Sequence, residues 1–268
     1  MPPNLSTLNQ HRVLGEYGMQ SLKPHAQKIS WINAVVSFIA VVLGICGCVN
    51  YDNTFESLTA VPWTWSRTDM TAYNMGQVYS AGGIRATTTY TYDGDEKKKF
   101  TFSSLGSSDG VLQYSYCVNY LKDMSAAVKT AAGYDRCVAC NDAEGSVISM
   151  LSLAICCAMV AILMFVWRSY WDNFFAKDLS ILASGFTWIF GMASFLSFNS
   201  CAAANKVYYD KTSSDNSGYA AGGFLVLFSF IIAFLVNVLT LMTPVQGEED
   251  EKAQPEPVAT TEMTDSNA

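Results

Sequence analysis

Charged residues are missing from four long stretches of this 268-residue chain. The four apolar runs extend over about 29–49, 147–167, 179–198 and 222–242, and none of them contains Asp, Glu, Lys, Arg or His. An α-helix of about twenty residues crosses a hydrocarbon core about 30 Å thick. A helix buried in a soluble protein rarely stays uncharged for so long, so the sequence predicts four transmembrane helices.

The missing charges also argue against several classes of function. Catalysis or ion-coupled transport within the membrane needs titratable side chains at its midplane, and the four runs supply none. Both histidines, His11 and His25, precede the first run. No phosphate-binding loop, nucleophile elbow or basic footprint for nucleic acid is present. The sequence therefore predicts a non-enzymatic protein with no cofactor, no metal site, no nucleic-acid partner and no identified small-molecule substrate.

Basic residues near the predicted spans indicate the orientation in the membrane, because Lys and Arg are enriched in cytoplasmic loops. Two of them precede the first span, one follows the second and one precedes the third. They are Lys23, Lys28, Arg168 and Lys177. Lys206 and Lys211, which follow the third span, oppose this assignment. On balance we expect both termini in the cytosol and the plasma membrane as the location.

This orientation divides the chain into three parts. A cytoplasmic tail at 1–28 leads into a first span that acts as an uncleaved signal anchor. A four-span domain at 29–244 includes a first extracellular loop at about 50–146 and a second at about 199–221. The acidic tail at 245–268 has few large apolar residues, so we expect it to be disordered.

The long first loop has the composition of a small antiparallel sheet. Thr, Tyr, Val and Phe are enriched at 85–92, 99–103 and 111–120, and turn residues separate these stretches. Helix formers follow at 121–132. The predicted fold class is an all-α, left-handed membrane bundle with a small β ectodomain: four transmembrane helices capped by an antiparallel sheet from extracellular loop 1.

The eight cysteines divide by location. Four lie within the runs, where a thiol packs as a small apolar group. The other four lie in the predicted outer loops, where an oxidising environment favours disulfides. They are Cys117, Cys137, Cys140 and Cys201.

Four cysteines allow three disulfide connectivities. We favour Cys117 with Cys137, which would close the end of the sheet. We pair Cys140 with Cys201 because both lie near the outer ends of adjacent helices. The alternative is a zinc site at the C-x-x-C of 137–140, for which the loops supply no histidine.

Small residues in the runs predict close helix packing, because they let backbones approach where dispersion replaces the hydrophobic drive. The positions are Gly44, Gly47, Ala154, Ala158 and Gly191. Asn33 and Asn237 lie at lipid depth and need hydrogen-bond partners. These partners belong either to the same chain or to a second subunit.

The first loop resembles that of the claudin superfamily, whose signature is a Trp, then G-L-W, then two cysteines. The candidates here are Trp63 or Trp65, Gly110 with Val111, Cys117 and Cys137. Leu112 stands where the signature has its second Trp. The resemblance implies a four-span protein with a sheet-containing first loop.

The last span is similar to that of the amastins, surface proteins of protozoan parasites within the same superfamily. Their pattern of Y-G-A-G-F, L-F, Asn and a final Pro has counterparts at Tyr219, Gly222, Phe224, Phe228, Asn237 and Pro244. The L-W-G that ends the Cys-centred amastin stretch is absent from 117–122. This resemblance implies a cell-surface location more than an activity.

We therefore predict a surface protein that acts through lateral, cell-cell or host contacts of its extracellular loops. Its partners are the lipid bilayer and either a second copy or other membrane proteins. The leading alternative is an accessory or pore-forming subunit of an ion channel or paracellular-type channel. The resemblance to claudins would then place Asp93, Asp95, Glu96 and the lysines at 97–99 beside the ion path. A third alternative is a MARVEL-type vesicle-trafficking tetraspan, which does not need the bridge between Cys117 and Cys137.

Overall fold

The computed structural model describes residues 19–69, 77–99, 110–211 and 216–245. The helices in these ranges are α1 (Ala26–Gly47), α2 (Phe55–Ala60), α3 (Tyr114–Leu121), α4 (Ala126–Ala132), α5 (Tyr134–Tyr170), α6 (Phe174–Lys211) and α7 (Ala221–Met242). The strands are β1 (Thr64–Asp69), β2 (Gln77–Gly82), β3 (Ala86–Asp93), β4 (Glu96–Lys99), β5 (Val111–Gln113) and β6 (Asn216–Tyr219). The predicted tails at 1–28 and 245–268 lie largely outside the described residues.

Four helices, α1, α5, α6 and α7, are long and apolar enough to cross a membrane. They coincide closely with the four predicted runs, so the prediction of four apolar spans is confirmed. Helices α5 and α6 are longer than predicted, at 37 and 38 residues. At 1.5 Å per residue each is about 55 Å long, well beyond a hydrocarbon core. The apolar run marks only part of each helix, because the helical hydrogen bonding continues into polar sequence at 134–146 and 199–211.

The predicted small residues lie where the helices approach most closely. A Cβ on Gly191 would lie 2.0 Å from Cδ1 of Phe230, and a Cβ on Gly47 would lie 2.9 Å from the backbone oxygen of Gly222. Gly44 similarly faces Ser229 across the α1 and α7 contact, with 3.2 Å from its ideal Cβ position to the hydroxyl. Ala154 and Ala158 of α5 are both buried. Side chains larger than these would force the helices apart.

The two asparagines at lipid depth are both hydrogen-bonded within the chain. Asn33 donates to Oγ1 of Thr240 at 3.1 Å, which joins α1 to α7. Asn237 donates to the backbone oxygen of Ile181 at 2.7 Å and to Oγ of Ser184 at 2.8 Å, which joins α7 to α6. The hydrogen-bond partners of both asparagines therefore belong to the same chain and not to a second subunit.

The strands form one antiparallel sheet with the order β4-β3-β2-β1-β6, and β5 pairs with the other part of β3. Strand β3 coincides with the stretch predicted at 85–92. Strand β6 lies between α6 and α7 and pairs with β1. The sheet is therefore not built from the segment between the first two spans alone, which corrects the prediction. Of the strand predicted at 99–103, residue 99 ends β4 and the remainder lies outside the described residues.

The strand predicted at 111–120 is wrong beyond Gln113, where β5 ends and α3 begins. Tyr114, Cys117 and Leu121 are all buried on one side of α3. Their spacing of three and four residues is helical, and Cys117 and Leu121 pack in one cluster with Cys137 of α5. This tertiary packing overrides the β preference of the aromatic residues. The helix predicted at 121–132 is observed in part, as α4.

A single buried tryptophan joins the sheet to the helices. Trp63 is 0% exposed, and its indole N–H donates to the backbone oxygen of Gly47 at 2.7 Å. Its ring packs edge-on against Phe198 of α6, with 4.7 Å between the ring centroids. Its backbone accepts from the N–H of Ala220 and donates to the oxygen of Gly82. Trp63 thus contacts α1 and α6, and its backbone is hydrogen-bonded to β2 and to the residue that precedes α7.

Candidate functional site

The two favoured disulfides are both present, and both join helices, so the bond between Cys117 and Cys137 does not close the end of the sheet as predicted. Cys117 of α3 is bonded to Cys137 of α5, with 6.0 Å between the Cα atoms. Cys140 of α5 is bonded to Cys201 of α6, across a sequence separation of 61 residues. The second bond ties together the extensions of α5 and α6 beyond the apolar runs. The helical base that carries the sheet is therefore covalently fixed.

The remaining four cysteines are free thiols within the spans: Cys46, Cys48, Cys156 and Cys157. Among the residues that the structure describes, no three His, Cys, Asp or Glu side chains come together in a way that could hold a metal ion. The C-x-x-C at 137–140 contributes its two sulfurs to different disulfides.

Of the residues that carry the family resemblance, Trp63, Gly222 and Tyr219 come together at the junction of sheet and bundle. A Cβ on Gly222 would lie 2.7 Å from Cδ1 of Trp63, so only glycine fits there without displacement. The Tyr219 hydroxyl donates to Oδ1 of Asn199 at 2.7 Å, and burial raises the pKa of Tyr219 above its usual range. Trp65, the alternative to Trp63, is 38% exposed.

The other signature residues lie elsewhere and serve local structure. Gly110 has a φ of 71°, which favours glycine, and its backbone oxygen accepts from the hydroxyl of Thr88 at 2.6 Å. Asn237 lies within the bundle, and Pro244 lies at the opposite end of the molecule from the sheet, where its oxygen accepts from Arg168. The resemblance residues therefore do not converge on one site.

Arg168 holds this opposite end of the bundle together. Its side chain is 1% exposed, and its Nε donates to Oδ1 of Asp172 at 2.6 Å. Its Nη2 donates to the backbone oxygens of Thr243 and Pro244 at 3.2 and 3.1 Å. These oxygens lie just beyond the last turn of α7, where helical partners are missing. The sequence placed Arg168 in a cytoplasmic turn but not in this role. Lys177, the other basic residue assigned to that turn, is likewise fully buried.

One face of the sheet carries a cluster of tyrosines, which we call the tyrosine face: Tyr79, Tyr90 and Tyr92. The antiparallel register places Tyr79 directly opposite Tyr90, and their rings stack with centroids 5.7 Å apart. Tyr92 packs edge-on against Tyr79 at 5.1 Å and is 48% exposed. Burial, together with the neighbouring Tyr92, raises the pKa of Tyr90 to about 12, so its hydroxyl stays protonated at neutral pH.

This cluster could not be predicted from the sequence, because it depends on the pairing of β2 with β3. Nothing in 77–82 predicts a strand as strongly as the Thr and Tyr alternation at 86–93 does. Phe55 of α2 extends the cluster, with its ring centroid 6.1 Å from that of Tyr90. The Nζ of Lys97 lies 5.5 Å from the centroid of Tyr90 and adds a cation-π contact.

The charged hairpin tip beside the tyrosine face is paired within the chain. Lys98 forms an ion pair with Asp93, and this hydrogen bond holds the pKa of Asp93 below its usual range. Lys97 donates to the backbone oxygen of Thr59 at 3.1 Å. Lys99 lies 3.9 Å from a carboxylate oxygen of Glu56. The tip therefore presents both signs of charge close together, with the lysines turned toward partners in the same chain.

The other face of the sheet carries hydroxyl groups and bounds a cleft of about 340 Å³ against α6. We call it the sheet cleft. Its lining from the sheet includes Thr64, Ser66, Ser80, Thr87 and Ser217, and its lining from α6 includes Asn199, Asn205 and Lys206. The volume falls within the usual range for small-ligand sites. A second cavity, inside the bundle beside Ala154, measures only about 30 Å³ and has room for about two water molecules.

No protein-family model matches this chain, and no curated protein matches it at a significant level. The class of this protein is therefore defined by its fold. Four apolar helices and a small antiparallel sheet define a multi-pass membrane protein, and two disulfides join its helices. The tyrosine face and the sheet cleft are its two candidate functional surfaces.

Proposed function

We propose that this protein is a non-enzymatic, claudin-like surface protein of the plasma membrane that binds other proteins through its tyrosine face. The observation that carries the proposal is the packed group of half-buried and exposed tyrosines on a sheet whose neighbouring helices are joined by disulfides. Tyrosine is enriched in protein interfaces, because it offers a large contact area with little loss of side-chain entropy. The arrangement is also preorganised, which lowers the entropic cost of binding.

The hairpin tip favours a contact role over a pore role. A selectivity filter of charged side chains uses rings of one sign facing the ion path. Here the lysines at 97–99 have partners in Asp93, Thr59 and Glu56 of the same chain. Mixed charges of this kind suit a polar rim around an aromatic contact surface. A pore-forming subunit remains the alternative, and it predicts conductance in planar bilayers that changes when Asp95 and Glu96 are replaced by Asn and Gln.

The proposed orientation predicts that the sheet lies outside the cell and the C-terminus inside. An epitope inserted after Gly94 tests this, because that residue lies at an exposed turn with nothing within 4 Å of its ideal Cβ position. On intact cells, antibody should bind the inserted epitope and should reach a C-terminal epitope only after permeabilisation. The reverse pattern would place the sheet in the cytosol and would remove the basis of the surface proposal.

The tyrosine-face proposal predicts that Tyr79→Ser with Tyr92→Ser abolishes most binding. Beads carrying the protein in nanodiscs are titrated onto cells of the native kind, and the apparent affinity is measured from the bound fraction. Loss of two aromatic anchors at the centre of an interface should weaken binding at least about tenfold.

The matched control is Tyr116→Ser with Tyr120→Ser. These two tyrosines form another stacked pair, with centroids 6.2 Å apart, and are 45% and 39% exposed on α3. The control should bind like the wild type. Equal binding by both double variants and the wild type would show that the tyrosine face is not the contact surface. Equal loss in both would point to a general effect on the fold.

A further inference from the structure

The sheet cleft has features that the proposed contact function does not explain. Buried β-strand faces are usually apolar, whereas this one presents hydroxyl groups from three neighbouring strands. The register places Ser66 opposite both Ser80 and Ser217, so β1, β2 and β6 contribute a row of serines across the sheet. Such a row is costly to bury unless its hydroxyl groups have partners.

One of these hydroxyl groups has no protein partner. Ser66 is 1% exposed, and its Oγ makes no hydrogen bond within the described part of the chain. The residue lines the cleft. An unsatisfied buried hydroxyl is destabilising, so a native structure usually has a reason to keep one. Rotation of the Ser66 side chain toward the cleft would let a polar group bound there supply the missing partner.

The charge of the cleft selects the kind of group. Among the described residues that line it, Lys206 is the one cation and there is no carboxylate. Its side chain is exposed and can turn toward a ligand. With the hydroxyl of Ser66 and the amide of Asn199, the cleft offers donors and one positive charge. This chemistry suits a phosphate group, which accepts several hydrogen bonds and carries negative charge.

The position of the cleft brings it to the membrane surface. Asn199 directly follows the apolar run at 179–198, so this part of α6 emerges from the hydrocarbon core. A lipid headgroup in the leaflet on the sheet side could therefore reach the cleft.

We propose that the sheet cleft binds a phosphate-bearing group, with Lys206 and Ser66 as its main contacts. The phosphate belongs either to a lipid headgroup or to a soluble phosphate ester. This proposal is independent of the tyrosine face, which lies on the other side of the sheet.

The full chain, purified in the phosphate-free detergent dodecyl maltoside, is titrated with three probes and followed by native mass spectrometry. The probes are dihexanoyl phosphatidic acid, glycerol 3-phosphate and dihexanoylglycerol, which lacks phosphate. We expect the first two to bind and the third to bind at least about tenfold more weakly. Tighter binding of phosphatidic acid than of glycerol 3-phosphate assigns the lipid source, and equal binding assigns the soluble one.

Variants locate the site. Lys206→Gln should weaken phosphate binding about tenfold, whereas Lys122→Gln, an exposed lysine on the sheet side outside the cleft, should not. Ser66→Ala should weaken binding while leaving the melting temperature unchanged or higher, because it removes an unsatisfied hydroxyl. Ser200→Ala, whose hydroxyl donates to the oxygen of Ser197 outside the cleft, is its control. Equal binding of dihexanoylglycerol, or equal loss in Lys122→Gln, would overturn the proposal.

Discussion

Replacing Trp63 with alanine should lower the free energy of unfolding by about 3–5 kcal/mol, the range found when large buried aromatic residues are truncated. The indole is 0% exposed and packs against Phe198, and its N–H bonds to the oxygen of Gly47. The variant loses the ring contacts and leaves a buried carbonyl without its donor. Thermal unfolding of the purified protein in detergent, followed by circular dichroism, measures the change.

Trp65→Ala provides the matched control, because the two tryptophans are separated by one residue and differ mainly in burial. Trp65 is 38% exposed, so its loss should cost less than the loss of Trp63. Trp63→Phe separates packing from hydrogen bonding, since it keeps a ring but removes the indole donor, and it should fall between the two. Similar melting temperatures for Trp63→Ala and Trp65→Ala would show that Trp63 does not anchor the sheet.

The sequence predicts that Trp63 is an important residue, but it does not predict the contacts that anchor the sheet. Its resemblance to a family signature marks it as a residue of interest but does not say what it touches. Its partners are Gly47 at the end of α1, Phe198 of α6 and Gly222 of α7, and the last of these lies about 160 residues from Trp63 in sequence. Hydrophobic run length predicts the helices that carry these partners. Run length does not predict which parts of these helices contact each other or Trp63.

The disulfides could be predicted because cysteine location carries strong information. Residues near the same ends of adjacent helices are close in any antiparallel bundle, which favoured Cys140 with Cys201. The strand predicted at 111–120 failed because local β preference was the only signal available. The helix at 114–121 is decided by the packing of Cys117 and Leu121 beside Cys137, a contact that no local pattern encodes.

The two candidate surfaces depend on strand register and could not be predicted. A shift of one residue between β2 and β3 would move Tyr79 to the other face of the sheet and separate it from Tyr90. The register between β1 and β2 aligns Ser66 with Ser80 and brings the hydroxyl groups together in the cleft. Composition shows that the segment is rich in Thr, Ser and Tyr, but only the pairing divides them between a tyrosine face and a hydroxyl-lined cleft.

The sequence predicted the position of Arg168 in a turn between two spans, but not the contacts by which its side chain stabilises the bundle. An arginine after a span reads as an exposed cytoplasmic residue. In the structure its partners are Asp172 and two backbone oxygens 75 and 76 residues along the chain. Every residue has a backbone oxygen, so the sequence does not show which of them accept a hydrogen bond from Arg168. It joins the turn between α5 and α6 to the end of α7.

We expect Arg168→Ala to destabilise the protein by about 3–5 kcal/mol, because it removes one partner of a buried ion pair. Asp172 would lose its close contact with the guanidinium, and the oxygens of Thr243 and Pro244 would lose their donor. Arg168→Lys should recover only part of this loss. One ammonium group cannot donate at once to Asp172 and to the two backbone oxygens, as the forked guanidinium does. The free energy of unfolding is measured in detergent, as for Trp63.

Arg85→Ala is the matched control, since Arg85 also donates through Nε to a carboxylate oxygen, that of Glu144, at 2.7 Å. The Arg85 side chain is 37% exposed, so its loss should cost about 1 kcal/mol or less. The double variant Arg168→Ala with Asp172→Ala, compared with both single variants, measures how much of the cost of Arg168→Ala belongs to the ion pair itself. Equal costs for Arg168→Ala and Arg85→Ala would mean that water reaches the Arg168 pair, and that α7 is held by packing alone.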